Sequence, residues 1–279
     1  MRIAALQMCS APTPEPNLAA LDALVGDAVA DGAQYVLSPE VTVAFAENRE
    51  GLSKVAAPYD ANPALIAVSE MARRHGVWLH LGSLAVALED GRFANRSVLF
   101  SPRGDIVAHY DKIHLFDADL PGVAAYRESA TYRGGEQAVT AQLGDVTLGF
   151  SICYDVRFAA LFGALARAGA SLIAVPAAFT VPTGEAHWEV LLRARAIETG
   201  SYIIAAAQGG RHANGRSTYG HSMIVDPWGK IIACQNHDRE GVVLATLDPE
   251  AVLAARARVP ALANARPFEL PVAAEGSRP

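Results

Sequence analysis

Apolar strands alternate with helices along nearly the whole chain, and this alternation restricts the fold more than any other feature of the sequence. Strands are predicted at residues 3–8, 35–38, 77–84, 172–176 and 202–208, and helices at residues 17–31, 63–75, 158–168 and 185–199. The strands are continuous apolar runs, which is typical of sheets that are buried on both faces. The pattern therefore predicts an α/β protein with mixed sheets.

Turn-forming residues predict hairpins between the other strands. Pro102-Arg103-Gly104-Asp105 joins strands at 97–101 and 106–109, and Gly144-Asp145 joins strands at 139–143 and 147–152. Further strands are predicted at 222–225, 230–234 and 242–247, before a last helix that begins at Asp248-Pro249. No linker or low-complexity segment interrupts this series. We therefore expect a single domain over residues 1–270 and a short tail at residues 271–279.

The composition argues against several classes of function. The 279 residues are 51% hydrophobic, and the net charge of −6 comes without a basic cluster, which argues against nucleic acid as a partner. No apolar run reaches the roughly 20 residues of a membrane helix. The first residues show no signal-peptide pattern. We therefore expect a cytoplasmic protein that does not associate with membranes.

The cysteines and histidines predict neither a disulfide framework nor a metal site. Cys9, Cys153 and Cys234 are far apart and odd in number, and they include no Cys-x-x-Cys pair. The 8 histidines form no His-Glu-x-x-His or His-x-His pattern. We expect that the protein uses no metal and no cofactor.

Ionisable side chains close three of the predicted strands. Glu40, Lys112 and Cys153 each follow an apolar run directly. The cysteine lies at a strand-to-helix corner, beside backbone N–H groups that have no helical partner and can stabilise an anion. A thiol, a carboxylate and an ammonium at one edge of a sheet supply a nucleophile, a base and an oxyanion partner.

The segments around these three residues resemble the nitrilase superfamily of carbon–nitrogen hydrolases. The similar runs are Tyr110-Asp111-Lys112-Ile113-His114-Leu115-Phe116-Asp117, Cys153-Tyr154-Asp155-Val156-Arg157-Phe158, Ala205-Ala206-Ala207-Gln208 and Tyr219-Gly220-His221-Ser222-Met223. They are similar to the Nit-type amidase branch, and the run at 187–199 is most similar to its deaminated-glutathione amidases. The resemblance extends from Met1 to about Leu270.

This resemblance implies a four-layer αββα sandwich and a Glu-Lys-Cys triad. In such a triad Cys153 attacks the substrate carbonyl and Glu40 is the general base. Lys112 stabilises the oxyanion together with a backbone N–H, that of Tyr154. Glu128 matches the second glutamate of the family, which positions the substrate and assists proton transfer.

The resemblance also implies a reaction and a kind of substrate. The carboxamide of a small linear, carboxylate-bearing amide, of the deaminated-glutathione type, is hydrolysed through a thioester to an acid and ammonia. The substrate carboxylates require cations, and the candidates are Arg157 and either Arg211 or Arg216. The last two lie in a glycine-rich loop at 209–219 that is a candidate lid. His187 is expected near the pocket or a subunit interface.

Other interpretations remain open at this level. They are an ω-amidase acting on α-ketoglutaramate, an N-carbamoyl amino acid amidohydrolase, and an inactive member that serves as a scaffold. True nitrilases generally place Trp-Glu after the cysteine, where this chain has Tyr154-Asp155.

Family members pair, so we expect at least a homodimer, with the helix after Cys153 and the helix near Glu185 at the interface. Phe158, Leu161, Phe162 and Leu165 form an apolar stripe on the first of these helices. We expect part of this stripe, such as Phe162, to remain for a partner subunit.

Overall fold

The computed structural model of the protein describes residues 1–119 and 126–270. The helices are α1 (Pro14–Ala30), α2 (Arg49–Val55), α3 (Pro63–His75), α4 (Ala159–Arg167), α5 (Val181–Thr199), α6 (Pro249–Arg258) and α7 (Ala261–Asn264). The strands of the first half are β1 (Arg2–Gln7), β2 (Tyr35–Leu37), β3 (Trp78–Ala87), β4 (Phe93–Phe100), β5 (Ile106–Asp111), β6 (Asp117–Ala118) and β7 (Tyr126–Arg127). Those of the second half are β8 (Thr140–Leu143), β9 (Val146–Phe150), β10 (Leu172–Ala174), β11 (Tyr202–Ala205), β12 (Gly209–Arg211), β13 (Ser217–Tyr219), β14 (Met223–Val225), β15 (Ile231–Cys234) and β16 (Gly241–Thr246). The predicted tail at 271–279 lies outside the described residues.

Two six-stranded mixed sheets form the centre of the molecule. Their strand orders are β16-β1-β2-β3-β4-β5 and β15-β14-β11-β10-β9-β8. In each sheet three neighbouring strands are parallel, β1 to β3 in one and β9 to β11 in the other, and the flanking strands are antiparallel. The repeated order that the sequence predicts therefore corresponds to two sheets of the same design.

The layers follow from the alternation of side chains along a strand. In β1, Ile3 and Ala5 pack into the core that includes the second sheet, whereas Ala4 and Leu6 pack under α1 and α3. On the other side, α4 and α5 pack on the second sheet. The order helix, sheet, sheet, helix is the four-layer αββα sandwich that the resemblance implies, and this expectation is confirmed.

Two helices begin earlier than the sequence pattern predicts. Helix α1 begins at Pro14 and not at residue 17, and α5 begins at Val181 and not at residue 185. Each contains a proline in its first turn. The N–H groups of a first turn have no acceptor within the helix, so the lack of an N–H on proline costs no hydrogen bond there. The prolines start these helices instead of preceding them.

The expectation about the apolar stripe of α4 is wrong. Phe162 is fully buried inside this chain, and Leu161 and Leu165 are buried as well. The second sheet and α5 together cover this helix, which a single neighbouring sheet would not do. Exposed apolar side chains lie instead on α5, where Val190 is 67% exposed and Ile197 is 55% exposed.

Within the described part of the chain, no helix combines the length and the apolar character that crossing a bilayer requires.

Candidate active site

The carboxyl ends of strands from both sheets bring the predicted ionisable residues together. Glu40 follows β2, Lys112 follows β5, and Cys153 follows β9 after two further residues. All three are buried, with 5%, 2% and 9% of their surface exposed. Charged groups are rarely buried to this extent unless they are paired.

Lys112 is paired with two carboxylates. Its Nζ donates to Glu40 Oε1 at 2.9 Å, and to Glu128 Oε1 and Oε2 at 3.0 and 2.9 Å. Glu128 lies in a short turn of 3₁₀ helix at 128–130 and also accepts the backbone N–H of Phe116 at 2.6 Å. One ammonium therefore lies between two carboxylates, next to the thiol.

Burial and charge set the protonation states at this site. Burial by itself lowers the pKa of the Lys112 ammonium, but the carboxylates of Glu128 and Glu40 outweigh it and hold that pKa well above its usual value. Burial, joined by the Glu40 carboxylate, raises the pKa of the Cys153 thiol well above its usual value, although Lys112 opposes this shift. The free protein therefore holds a charged lysine beside a protonated thiol.

The backbone is in the left-handed region at two positions of the site. Val41, the residue after Glu40, has a φ of 51°, and Cys153 has a φ of 49°. Such angles cost roughly 1–3 kcal/mol each and cluster at functional sites. Hydrogen bonds hold both corners, from Val41 N to Ser83 Oγ and from Cys153 N to Pro176 O, each at 2.8 Å. The strained backbone fixes the directions in which the carboxylate and the thiol leave their strands.

Gly82 in β3 allows the two halves of the site to approach each other. A Cβ atom at this position would lie 2.0 Å from Ser38 O, 2.3 Å from Pro39 O and 2.6 Å from Pro176 Cβ. Only glycine leaves room for this contact. The loop that carries Glu40 and the loop that follows β10 therefore both pack directly against the backbone of Gly82.

Asp155 anchors the corner that carries the thiol. Its carboxylate is fully buried and accepts bonds from Tyr110 Oη at 2.7 Å and from the backbone N of Ile152 at 2.8 Å. It also accepts bonds from the backbone N and ring Nδ1 of His114, at 3.0 and 2.7 Å. The carboxylate thus ties the segment after Lys112 to the segment that contains Cys153.

Arg195 of α5 supports the same corner from behind. Its buried guanidinium donates from Nε to Val156 O at 2.8 Å and from Nη1 to Glu198 at 2.5 Å. The turn at 153–157 is short 3₁₀ helix, so its carbonyl groups need partners from outside. Arg195 supplies donors for two of them, the carbonyl groups of Val156 and Arg157.

Backbone N–H groups face the thiol. The backbone N–H of Ala178 lies near the sulfur of Cys153 and acts to lower the pKa of the thiol, against the larger effect of burial. The N–H of Tyr154 belongs to the first turn of the 3₁₀ helix that begins at Cys153, where N–H groups generally lack an acceptor within the helix. Together with the Lys112 ammonium, these groups can stabilise a negative oxygen that develops beside the sulfur.

A cavity of about 280 Å³ opens above these residues. We define its floor as Glu40, Asn95, Lys112, Glu128 and Cys153. We define its rim as Arg49, Arg157 and Arg216, which line the outer part of the wall. Aromatic side chains complete the wall, namely Phe45, Phe116, Tyr132, Tyr154 and Phe179.

Arg157 and His187 form a pair at the rim. The Arg157 guanidinium lies over the rings of Tyr154 and Phe179, at 5.7 and 5.4 Å from their centroids, and Nη1 donates to His187 Nδ1 at 3.2 Å. His187 is exposed and does not line the cavity. His187 is predicted near the pocket, and it lies next to a residue that lines the cavity, Arg157, without lining the cavity itself.

Arg211 does not line the cavity, and its expected place there is corrected in favour of Arg216. The loop at 209–219 is a hairpin of β12 and β13, and it is fixed to the protein by Asn214 Nδ2 to Phe45 O and Arg216 Nη2 to Glu47 O, at 2.8 and 3.1 Å. Because hairpin residues alternate between two faces, only part of this segment can face the cavity. Arg211 lies exposed at the end of β12, whereas Arg216 and the residues after it line the wall.

Asn95, Asp155 and Arg195 have no functional role in the sequence-based prediction. Asn95 lies inside β4 with no motif around it, and its contacts depend on which strands pair. Asp155 belongs to the run after Cys153, and its position two residues beyond a nucleophile is the one signal that points to it. Arg195 has the pattern of an ordinary helix surface, in which pairs at i,i+3 or i,i+4 are common.

Within the described residues, no group of His, Cys, Asp and Glu side chains is placed to hold a metal ion. The chemistry available at the floor is nucleophilic attack by a thiol with a carboxylate as base.

Comparisons with known proteins show the family to which this fold belongs. A model of the carbon–nitrogen hydrolase family matches residues 2–257. The chain is 42% identical over 267 residues to the deaminated glutathione amidase of Yersinia enterocolitica, covering 95% of this chain and 92% of that protein.

Solved structures show the same relationship. The NitFhit protein of C. elegans superposes with a TM-score of 0.85 at 35% identity, covering 95% of this chain and 65% of that longer one. A glutamine-for-glutamate variant of the amidase from Nesterenkonia sp. AN1, with acrylamide added at its active-site cysteine, gives a TM-score of 0.78 at 27% identity, with 93% and 98% coverage.

The fold and the site thus define a hydrolase of the nitrilase type. The chain belongs to the carbon–nitrogen hydrolase family, and within it the chain is an amidase that is similar to deaminated glutathione amidases. The family and the enzyme class expected from the sequence are confirmed.

Proposed function

We propose that this amidase hydrolyses a small, carboxylate-bearing linear amide through a thioester on Cys153. The proposal is supported above all by the floor of the cavity, where a protonated thiol lies beside the Glu40 carboxylate and the Lys112 ammonium. The thiol needs a base because its raised pKa leaves little thiolate at neutral pH. Glu40 is the carboxylate that raises this pKa, so it is close enough to take the proton.

The reaction proceeds in two halves. Sulfur attacks the carbonyl carbon while Glu40 takes the thiol proton, and the tetrahedral oxyanion is stabilised by Lys112 and the N–H of Tyr154. Glu40 then gives the proton to the leaving nitrogen, the C–N bond breaks and the thioester remains. Water attacks the thioester carbon, its proton passes to Glu40, and collapse releases the acid and returns the proton to sulfur.

The substrate is expected to carry a carboxylate away from the reacting amide. Arg157 and Arg216 support this part of the proposal, because among the described residues neither is paired with an acidic side chain. A guanidinium in this setting can hold a carboxylate through two parallel hydrogen bonds. The relatives named as deaminated glutathione amidases point to a substrate of that type.

The leaving group depends on the substrate. Glutathione contains peptide bonds and no primary carboxamide, so a deaminated glutathione would release an amine. Ammonia, which the sequence-based prediction names, is the product of a primary carboxamide such as α-ketoglutaramate. An assay must therefore follow both ammonia and primary amine.

The test measures both products across deaminated glutathione, α-ketoglutaramate, an N-carbamoyl amino acid and a nitrile. We expect the highest kcat/KM with deaminated glutathione, and mass spectrometry of a slow reaction should show an acyl group on the peptide that contains Cys153. A preference for α-ketoglutaramate would instead assign ω-amidase activity. No turnover of any amide would favour an inactive scaffold.

We further propose a cytoplasmic protein that forms at least a homodimer from one domain over residues 1–270. Exposed Val190 and Ile197 on α5 support an interface on this helix. Light scattering should give at least twice the 29.4 kDa of one chain. A mass of one chain at micromolar concentration would contradict the dimer.

A further inference from the structure

We propose that Asn95 is a positioning residue of the hydrolytic reaction, which orients the two glutamates of the floor so that Glu40 keeps one oxygen for the thiol. This inference rests on the roles proposed above for Glu40 and Cys153. It adds a neutral side chain to the three ionisable groups of the triad.

The contacts of Asn95 join both carboxylates. Its Nδ2 donates to Glu40 Oε1 at 2.9 Å and lies 3.3 Å from Glu128 Oε1. Glu40 Oε1 therefore receives two donors, Asn95 Nδ2 and Lys112 Nζ. Glu40 Oε2 accepts neither of these bonds, and it is the oxygen left to take the thiol proton.

The orientation of the Asn95 amide follows from charge. With the amide reversed, its oxygen would face two carboxylate oxygens, which repel it, so the nitrogen must point towards the glutamates. In this orientation Oδ1 is buried and has no hydrogen-bond partner among the residues that the structure describes. A buried acceptor without a partner is unfavourable, and its presence in a native structure calls for a functional explanation. We attribute it to the requirement that both N–H bonds face the carboxylates.

The backbone of Asn95 contacts Lys112, the cation of the floor. Its carbonyl accepts the backbone N–H of Lys112 at 2.9 Å, where β4 pairs with the end of β5. The side chain of Asn95 thus orients the two glutamates, while its backbone carbonyl fixes the backbone of Lys112, from which the lysine side chain extends. With 3% of its surface exposed, Asn95 has little freedom to leave this arrangement.

The experiment compares Asn95→Leu and Asn95→Asp with the wild type, using kcat and KM per active site as titrated by the thioester burst. For Asn95→Leu we expect kcat to fall about tenfold to a hundredfold, the scale of misplacing a catalytic group by an ångström, with KM unchanged. In Asn95→Asp kcat should fall further, because a third carboxylate joins the floor next to Glu40 and Glu128.

Asn62 provides a matched control. It is as buried as Asn95, with 4% exposed, and its side chain caps α3 by accepting the N–H of Ala64 at 3.0 Å, outside the cavity. Asn62→Leu should lower the melting temperature and leave kcat and KM per active site unchanged.

Two results would overturn the inference. They are a wild-type kcat in Asn95→Leu, and a rise in KM without a fall in kcat. If Cys153→Ala retained turnover, the proposed function itself would fail. If Cys153→Ala is inactive and Asn95→Leu resembles the wild type, only the role of Asn95 is wrong.

Discussion

The floor and the rim of the cavity are built in different ways. The charged and amide side chains of the floor are each held by several partners, as Lys112 is by two glutamates and Glu40 by Lys112 and Asn95. Rim side chains are more exposed and bond to single groups, as Arg216 does to the carbonyl of Glu47 and Arg49 to that of Gly91.

This difference separates the reaction from the choice of substrate. A buried, multiply bonded group cannot change its position without losing several contacts, which keeps reacting atoms in place. An exposed arginine can move to meet a ligand at little cost. Substitutions in the floor should therefore lower kcat, and substitutions in the rim should raise KM.

The largest effect is expected from Cys153→Ala. Without the nucleophile no thioester forms, and turnover should fall by at least about a thousandfold. Cys234→Ala is the matched control, since Cys234 lies at the end of β15 and outside the cavity, and its turnover should equal that of the wild type. Product release per titrated protein is the measurement. If the turnover of Cys153→Ala stayed within tenfold of the wild type, a thioester intermediate on Cys153 would be refuted.

Glu40→Gln should separate catalysis from thiol reactivity. Loss of the general base lowers kcat by about 10²–10⁴-fold. Since the Glu40 carboxylate raises the pKa of Cys153, its removal lowers that pKa and increases the thiolate fraction at pH 8. Iodoacetamide should therefore alkylate Cys153 faster in the variant, as peptide mass spectrometry can follow. Equal slowing of turnover and alkylation would contradict this account.

Lys112→Met should affect both rate and stability. Loss of an oxyanion donor lowers kcat by about 10²–10³-fold. Leaving the buried carboxylate of Glu40 and the partly buried one of Glu128 without their partner costs roughly 3–5 kcal/mol. The pKa of Lys112 is raised on folding, so its stabilisation is fully present below its ordinary value of 10.5 and is lost as pH rises towards the folded value.

Urea unfolding at a series of pH values measures this contribution. The stability gap between the wild type and Lys112→Met should stay constant up to about pH 10 and narrow above it. A gap that widens above pH 10 would show that the assigned ionisation of Lys112 is wrong.

The smallest effects belong to the rim. Arg157→Ala and Arg216→Ala should each raise KM for a dicarboxylate amide by about tenfold to a hundredfold, the value of one charged hydrogen bond, with little change in kcat. Arg211→Ala is the control within the same hairpin and should match the wild type. If Arg211→Ala raised KM as much as Arg216→Ala, the assignment of Arg216 and not Arg211 to the rim would be wrong.

Local signals in the sequence identified Glu40, Lys112 and Cys153 as candidate site residues, because each of them ends an apolar run. These strand ends belong to two different sheets, and the structure brings them together at one cavity. The motif similarity added the αββα arrangement, which periodicity alone does not specify because it leaves open how two sheets face each other.

Other features could not be predicted because they depend on contacts between distant segments. Phe162 has the spacing of an exposed stripe, and its burial depends on how α5 lies over α4. Arg211 and Arg216 are equivalent in composition, and only the packing of the hairpin places one in the wall and the other in solvent.

The sequence by itself determined which chemical groups this amidase possesses and at which strand ends they stand, since strand ends follow from local apolar runs. Only the tertiary structure decided which groups meet. It places one ammonium between two carboxylates, turns the amide of Asn95 towards both of them and fits Gly82 against the loops of the site. These contacts join residues that are tens of positions apart, and close packing, which no local pattern encodes, selects them.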